Sequence, residues 1–194
     1  MSRAVATISV LAVVTAGALA AGSSGARQTQ RLAHSSPTSF ARALADALAS
    51  QTNRRGQYMI VSCSPHDPVV DTWLTSMKAY FHQRYPLMRR VGIVSGGDGN
   101  GPAGTLVLRP ILRAHPQLRG LVFLCQGEAY TGPPQLIQAH KVGKIFTAGN
   151  GTGYACPPVK EPWLTSVRLG AEVVVCDGNP PRTYTKANLG KHSG

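Results

Sequence analysis

Four short apolar runs, YMIVSC, RRVGIVS, LVFLC and KIFTAG, recur at roughly 30-residue intervals, each separated from the next by a segment of helical periodicity. That alternation constrains the fold more than any other feature. A strand followed by a helix and another strand closes into a parallel sheet through right-handed crossovers. The runs are apolar throughout rather than alternating, as expected of strands covered by helices on both faces. The expected class is therefore α/β, a parallel sheet with helices on both faces.

The intervening segments support this. Ser36-Pro37-Thr38 offers a helix start, and FARALADALASQ places Phe40, Leu44, Ala47 and Leu48 at helical spacing. In VVDTWLTSMKAYFHQRY, Val70, Trp73, Leu74, Met77, Tyr80 and Phe81 fall on one side, with Ser64 to Asp67 as loop and cap and Pro86 as a stop. TLVLRPILRAHP predicts a third helix, kinked or started late by Pro110. Pro133-Pro134 is expected to open a fourth, PQLIQAHKVG. Loops at the carboxyl ends of parallel strands carry the ligand site. Here these are Ser64 to Asp67, Gly96 to Pro102, Gln126 to Thr131 and Asn150 to Tyr154.

The second of these loops contains G-x-G-x-x-G at Gly99, Gly101 and Gly104. A dinucleotide fingerprint also needs an acidic residue at the end of the following strand, to hold the ribose hydroxyls. That strand ends in Cys125-Gln126, with Glu128 in what reads as the loop beyond. The match is thus read as a tight βα turn, and no cofactor is expected. No G-x-S-x-G or H-E-x-x-H motif occurs, and the six histidines are scattered.

The chain has 194 residues and a formal charge of +12, from 20 Lys and Arg against 8 Asp and Glu. This favours anionic partners in general. The cations come as dispersed pairs and singles without interleaved aromatics, so nucleic acid is not expected as a partner. Arg3, the apolar stretch Ala4 to Ala21 and the small-x-small sequence Ala18-Leu19-Ala20 read as a signal peptide over 1–20. A linker over 21–36 follows. Gly22-Ser23-Ser24 stands where a lipoprotein would carry cysteine, so a lipid anchor is not expected. Export permits disulfides. Cys63, Cys125, Cys156 and Cys176 are too widely spaced for a zinc site. Cys63 and Cys125 each end an apolar run. They are small buried groups, or a bridge if their strands are neighbours.

The segment GQYMIVSCSPHDPVVDTWLTSMKAYFHQRYPLMRRVGIVSGGD, with RAHPQLRGLVFLC, KVGKIFTAGNGTG and VKEPWLTSVRLGAEVV after it, resembles the second lobe of type 1 periplasmic sugar-binding proteins. Within that family it is most similar to the rhamnose and autoinducer-2 branch of ABC-transporter receptors. The resemblance implies an α/β lobe over 37–177, a polar tail over 178–194, an extracytoplasmic location, a small sugar as ligand, an ABC permease as partner and no catalysis. By position it implies ligand contacts from Asp98, Gln126, Glu128, Asn150 and Thr152. The family's first lobe is not matched, so the resemblance implies a truncated receptor with weakened binding. Trp73 reads as core or as a sugar-stacking ring. Two further readings stand beside this one: a secreted α/β hydrolase using Ser64 or Ser95, and a basic surface protein binding anionic polymers.

Overall fold

The computed structural model describes residues 36–63, 67–96, 108–151, 167–176 and 180–188. The expected signal peptide, most of the expected linker, the Gly99–Gly104 motif, Ser64, Asp98, Thr152 and Cys156 lie outside these residues.

The first helix, α1 (Pro37–Gln51), starts where Ser36 accepts a hydrogen bond from the Ser39 amide at 3.1 Å, with Pro37 in the first turn. It ends in a tight turn whose Asn53 and Arg54 are in the left-handed region, at φ 53° and 58°. The chain then enters β1 (Gly56–Ser62). Asp67 caps α2 (Pro68–Arg84), accepting from the Val69 amide at 2.8 Å and the Val70 amide at 3.4 Å. β2 (Met88–Ser95), α3 (Leu108–Ala114) and β3 (Leu118–Phe123) follow. Next come α4 (Gln126–Gln138), β4 (Phe146–Asn150), β5 (Val173–Cys176) and β6 (Arg182–Tyr184).

The strands form one sheet in the order β2-β1-β3-β4-β5-β6. β1 to β5 run parallel, and β6 closes the edge antiparallel to β5. Because strand side chains alternate, each central strand feeds two cores. Tyr58, Ile60, Val122 and Val175 meet Phe40, Leu44 and Leu48 of α1 and Met77 and Phe81 of α2 on one face. Met59, Val61, Leu121, Phe123 and Val174 meet Leu108 of α3 and Leu136 of α4 on the other. Each such large side chain, fully buried, stabilises the fold by about 1.5–3 kcal/mol. The Tyr58 and Phe81 rings stack at 4.1 Å. Trp73 lies 5.1 Å from the Phe40 ring and packs on the same core, the packing role of its two readings.

The fourth helix departs from expectation. It begins at Gln126, not at Pro133, and carries Pro133 and Pro134 inside it. Those prolines remove two amide donors, a cost that would ordinarily break a helix. Tertiary packing outweighs it here. Ala129, Gly132, Pro133 and Leu136 are all buried. The Thr131 hydroxyl donates to the Gly127 carbonyl at 3.0 Å, and the Gln135 amide to the Thr131 carbonyl at 3.0 Å. Gln126 to Thr131 is consequently helix, not loop.

Candidate functional site

The strand order reverses at β1. From β1 the chain crosses to β2 on one side, then returns past β1 to β3 on the other. The segments leaving β1 and β3 therefore lead to opposite faces, α2 to one and α4 to the other. Diverging exits of this kind open a crevice at the carboxyl end of an open α/β sheet.

At this switch point Cys63 and Cys125 are joined by a disulfide, their Cα atoms 5.7 Å apart. This decides between the two readings of those cysteines: they form a bridge. Cys176 is also disulfide-bonded. The floor around the bridge is tightly hydrogen-bonded. The Leu124 amide donates to the Val61 carbonyl at 3.0 Å, and the Gly96 amide to the Ser62 carbonyl at 2.8 Å. The Ser95 hydroxyl donates to the Cys63 carbonyl at 3.3 Å.

Three of the five expected ligand residues fall within the described residues, and all three stand at this end of the sheet. Gln126 is half-buried and opens α4, directly after the bridged Cys125. Asn150 ends β4 and is 5% exposed; its amide donates to the Leu124 carbonyl at 2.9 Å, tying β4 to the end of β3. Glu128 is fully buried in the first turn of α4, and its two carboxylate oxygens have no hydrogen-bond partner among the described residues. It lies against Gly96, where a Cβ would collide with the Glu128 side chain. Burial raises its carboxyl above the ordinary value, with its own backbone amide offsetting part of the effect.

A second buried carboxylate escaped the sequence reading. Glu172, at the head of VVVC, is 1% exposed and lacks a partner for either oxygen among the described residues. It rests against Gly149 of β4. Its signal in the sequence, one acidic residue opening an apolar run, is indistinguishable from an ordinary solvated strand entry. Among the described residues no group of three His, Cys, Asp or Glu could hold a metal ion. At this end of the sheet Ser95 is exposed and Gln126 half-buried, whereas Glu128 is fully buried and the Asn150 amide is engaged by the Leu124 carbonyl.

The fold recurs in transport receptors. A carbohydrate-transporter solute-binding protein from Agrobacterium radiobacter, in complex with D-arabinose, superposes with TM-score 0.68 at 16% identity, over 80% of this chain and 61% of that one. An arabinose-binding protein from Geobacillus stearothermophilus gives TM-score 0.68 at 12% identity, over 81% and 63%. A solute-binding protein from Clostridium phytofermentas with bound L-rhamnose gives 0.61 at 18%, over 76% and 44%. The chain has the lobe fold of periplasmic binding proteins. It spans 44 to 63% of the length of these three receptors. No protein-family model and no curated protein matches the sequence. These neighbours are described as solute-binding or sugar-binding proteins, two of them of carbohydrate or ABC transporters. No helix among the described residues is long and apolar enough to cross a membrane.

Proposed function

We propose that this protein is an extracytoplasmic sugar-binding component of an ABC transporter, with specificity in the rhamnose and autoinducer-2 range, and that it performs no chemistry. The observation that carries this reading is the position of Gln126 beside the bridged switch point, with Glu128 and Asn150 at the same carboxyl end of the sheet, in a fold shared with sugar receptors. The Cys63–Cys125 bridge supports an oxidising compartment and hence export through the 1–20 signal segment. Asp98 and Thr152 are proposed to complete the ligand contacts, and an ABC permease to receive the sugar.

The described residues supply one wall of the crevice. Sugar bound to one wall stays hydrated on its open side, so each new hydrogen bond largely replaces one to water and gains about 1 kcal/mol or less. A few such contacts fall short of the cost of at least about 4 kcal/mol for lost translational and rotational freedom. Binding by this wall alone is expected to be weak, with a dissociation constant of about 1 mM or higher.

Titration of the full chain with L-rhamnose, D-arabinose and autoinducer-2, followed by NMR shifts, tests the reading. Saturable shifts at Gln126 and its neighbours are expected for one of these sugars. Gln126→Ala should abolish them while leaving the melting temperature unchanged. Shifts that persist undiminished in Gln126→Ala, or no saturable shift with any of the three, would overturn it.

A further inference from the structure

The end of the sheet opposite the crevice has a different character. The connections entering strands there carry exposed cations: Arg54 and Arg55 before β1, Arg89 and Arg90 in the opening of β2, Arg113 in the last turn of α3, and Lys144 before β4. Beside Arg89 and Arg90 runs a groove of about 410 Å³ whose lining also includes Gln57, His115 and Gln117, with no carboxylate. The carboxylates of the described residues lie elsewhere, are engaged or are buried away from this surface. Asp67 and Asp71 head α2, and Glu128 heads α4, all at the crevice end. Asp46, on α1, accepts a 2.6 Å hydrogen bond from the Tyr85 hydroxyl, and Glu172 is buried.

Helix dipoles account for only a small part of this. A cation in the last turn of a helix is favoured by the carboxyl-terminal partial charge, which explains Arg113. Arg55, Arg89, Arg90 and Lys144 lie beyond any last turn. The same pole also exposes two leucines, Leu87 at 70% just before β2 and Leu169 at 50% just before β5. Cations interspersed with protruding aliphatic side chains, rather than with stacking aromatic rings, match a lipid interface better than a nucleic acid.

The geometry points to the amino-terminal pole of the sheet as a docking surface for an anionic lipid bilayer. The arginines and Lys144 meet lipid phosphates, and Leu87 and Leu169 enter the headgroup region. The surface lies at the far end of the sheet from the crevice, so its test involves no sugar.

The test is co-sedimentation of the full chain with phosphatidylcholine vesicles, with and without phosphatidylglycerol. Two variants of equal charge change are compared: Arg55→Glu/Arg89→Glu at the pole, and Lys78→Glu/Arg109→Glu away from it. Binding that depends on phosphatidylglycerol and weakens with salt is expected. Each basic residue near an anionic surface contributes roughly fivefold, so the pole variant should bind at least about 25-fold more weakly. The distal variant should lose much less. Circular dichroism and melting temperature confirm that both variants fold, and the apolar amino-terminal stretch contributes equally to both and to neutral vesicles. Equal losses in the two variants, or no added binding with phosphatidylglycerol, would overturn the proposal. So would tighter binding to duplex DNA with the same dependence on Arg55 and Arg89, which would assign the surface to nucleic acid.

Discussion

Cys63 and Cys125, 62 residues apart in the chain, are covalently joined where the ends of β1 and β3 part toward opposite faces of the sheet. The bond spans the switch point, beside the Leu124–Val61 backbone hydrogen bond. It therefore fixes the separation of the two strand ends as well as restricting the unfolded chain.

Removing it should be costly. In the chain-entropy description, closing a loop of this length in the unfolded state stabilises the folded one by about 4 kcal/mol. Urea unfolding of Cys63→Ala/Cys125→Ala against the parent is expected to show a loss of about 2–5 kcal/mol. The far-ultraviolet spectrum should be unchanged before the transition, because the sheet hydrogen bonds remain. A loss below about 0.5 kcal/mol would mean that the two strand ends hold each other without help from the bond.

Glu172 makes stability depend on pH in a defined direction. Burial raises its carboxyl well above the ordinary range. In the unfolded chain the group ionises near about 4.3. Above that pH the unfolded state has lost a proton that the folded state retains. The contribution is fully present below the unfolded value and is lost as pH rises toward the folded one. Glu128, raised in the same direction, adds to the trend. The parent should therefore lose stability from pH 5 to pH 8 relative to Glu172→Gln, which cannot ionise. Glu172→Met, which removes the unpartnered oxygens while filling similar space, should gain about 1–3 kcal/mol at neutral pH. Parallel pH profiles for the parent and Glu172→Gln would refute the assignment.

Gly132 tests what holds α4 to the sheet. Alanine is the better helix former by about 1 kcal/mol. At this position its methyl group would collide with the Phe123 ring, which is itself fully buried. Overpacking of this kind costs about 1–3 kcal/mol. Gly132→Ala is expected to destabilise by up to about 2 kcal/mol net, read as a lower urea midpoint at unchanged slope. Gly143, whose surroundings leave open space, has no such neighbour, and only its φ of +77° resists substitution.

Much of the fold was legible in local sequence. Ser36 and Asp67 announced the starts of α1 and α2 because a cap acts within three residues. The apolar runs announced β1 to β4, and the six apolar positions from Val70 to Phe81 announced the buried side of α2, because periodicity is written into neighbouring residues. The polar run RTYTKAN gave no comparable signal for β6. Its pairing with β5 comes from the partner strand, with Tyr184 buried against the second core.

Four cysteines, scattered cations and two buried glutamates could not be placed by such rules, because their meaning depends on strand order. Only the order β2-β1-β3 brings Cys63 to Cys125. Only the parallel stacking of β1 to β4 gathers Gln126, Glu128 and Asn150 at one end and Arg55, Arg89 and Lys144 at the other. Packing against Phe123 likewise carries α4 back to Gln126 through two prolines that local propensity reads as a start. Propensity and capping act over a few residues and about 1 kcal/mol each. Strand order and helix seating are set by burial of whole faces, a larger sum that forms only between segments far apart in the chain.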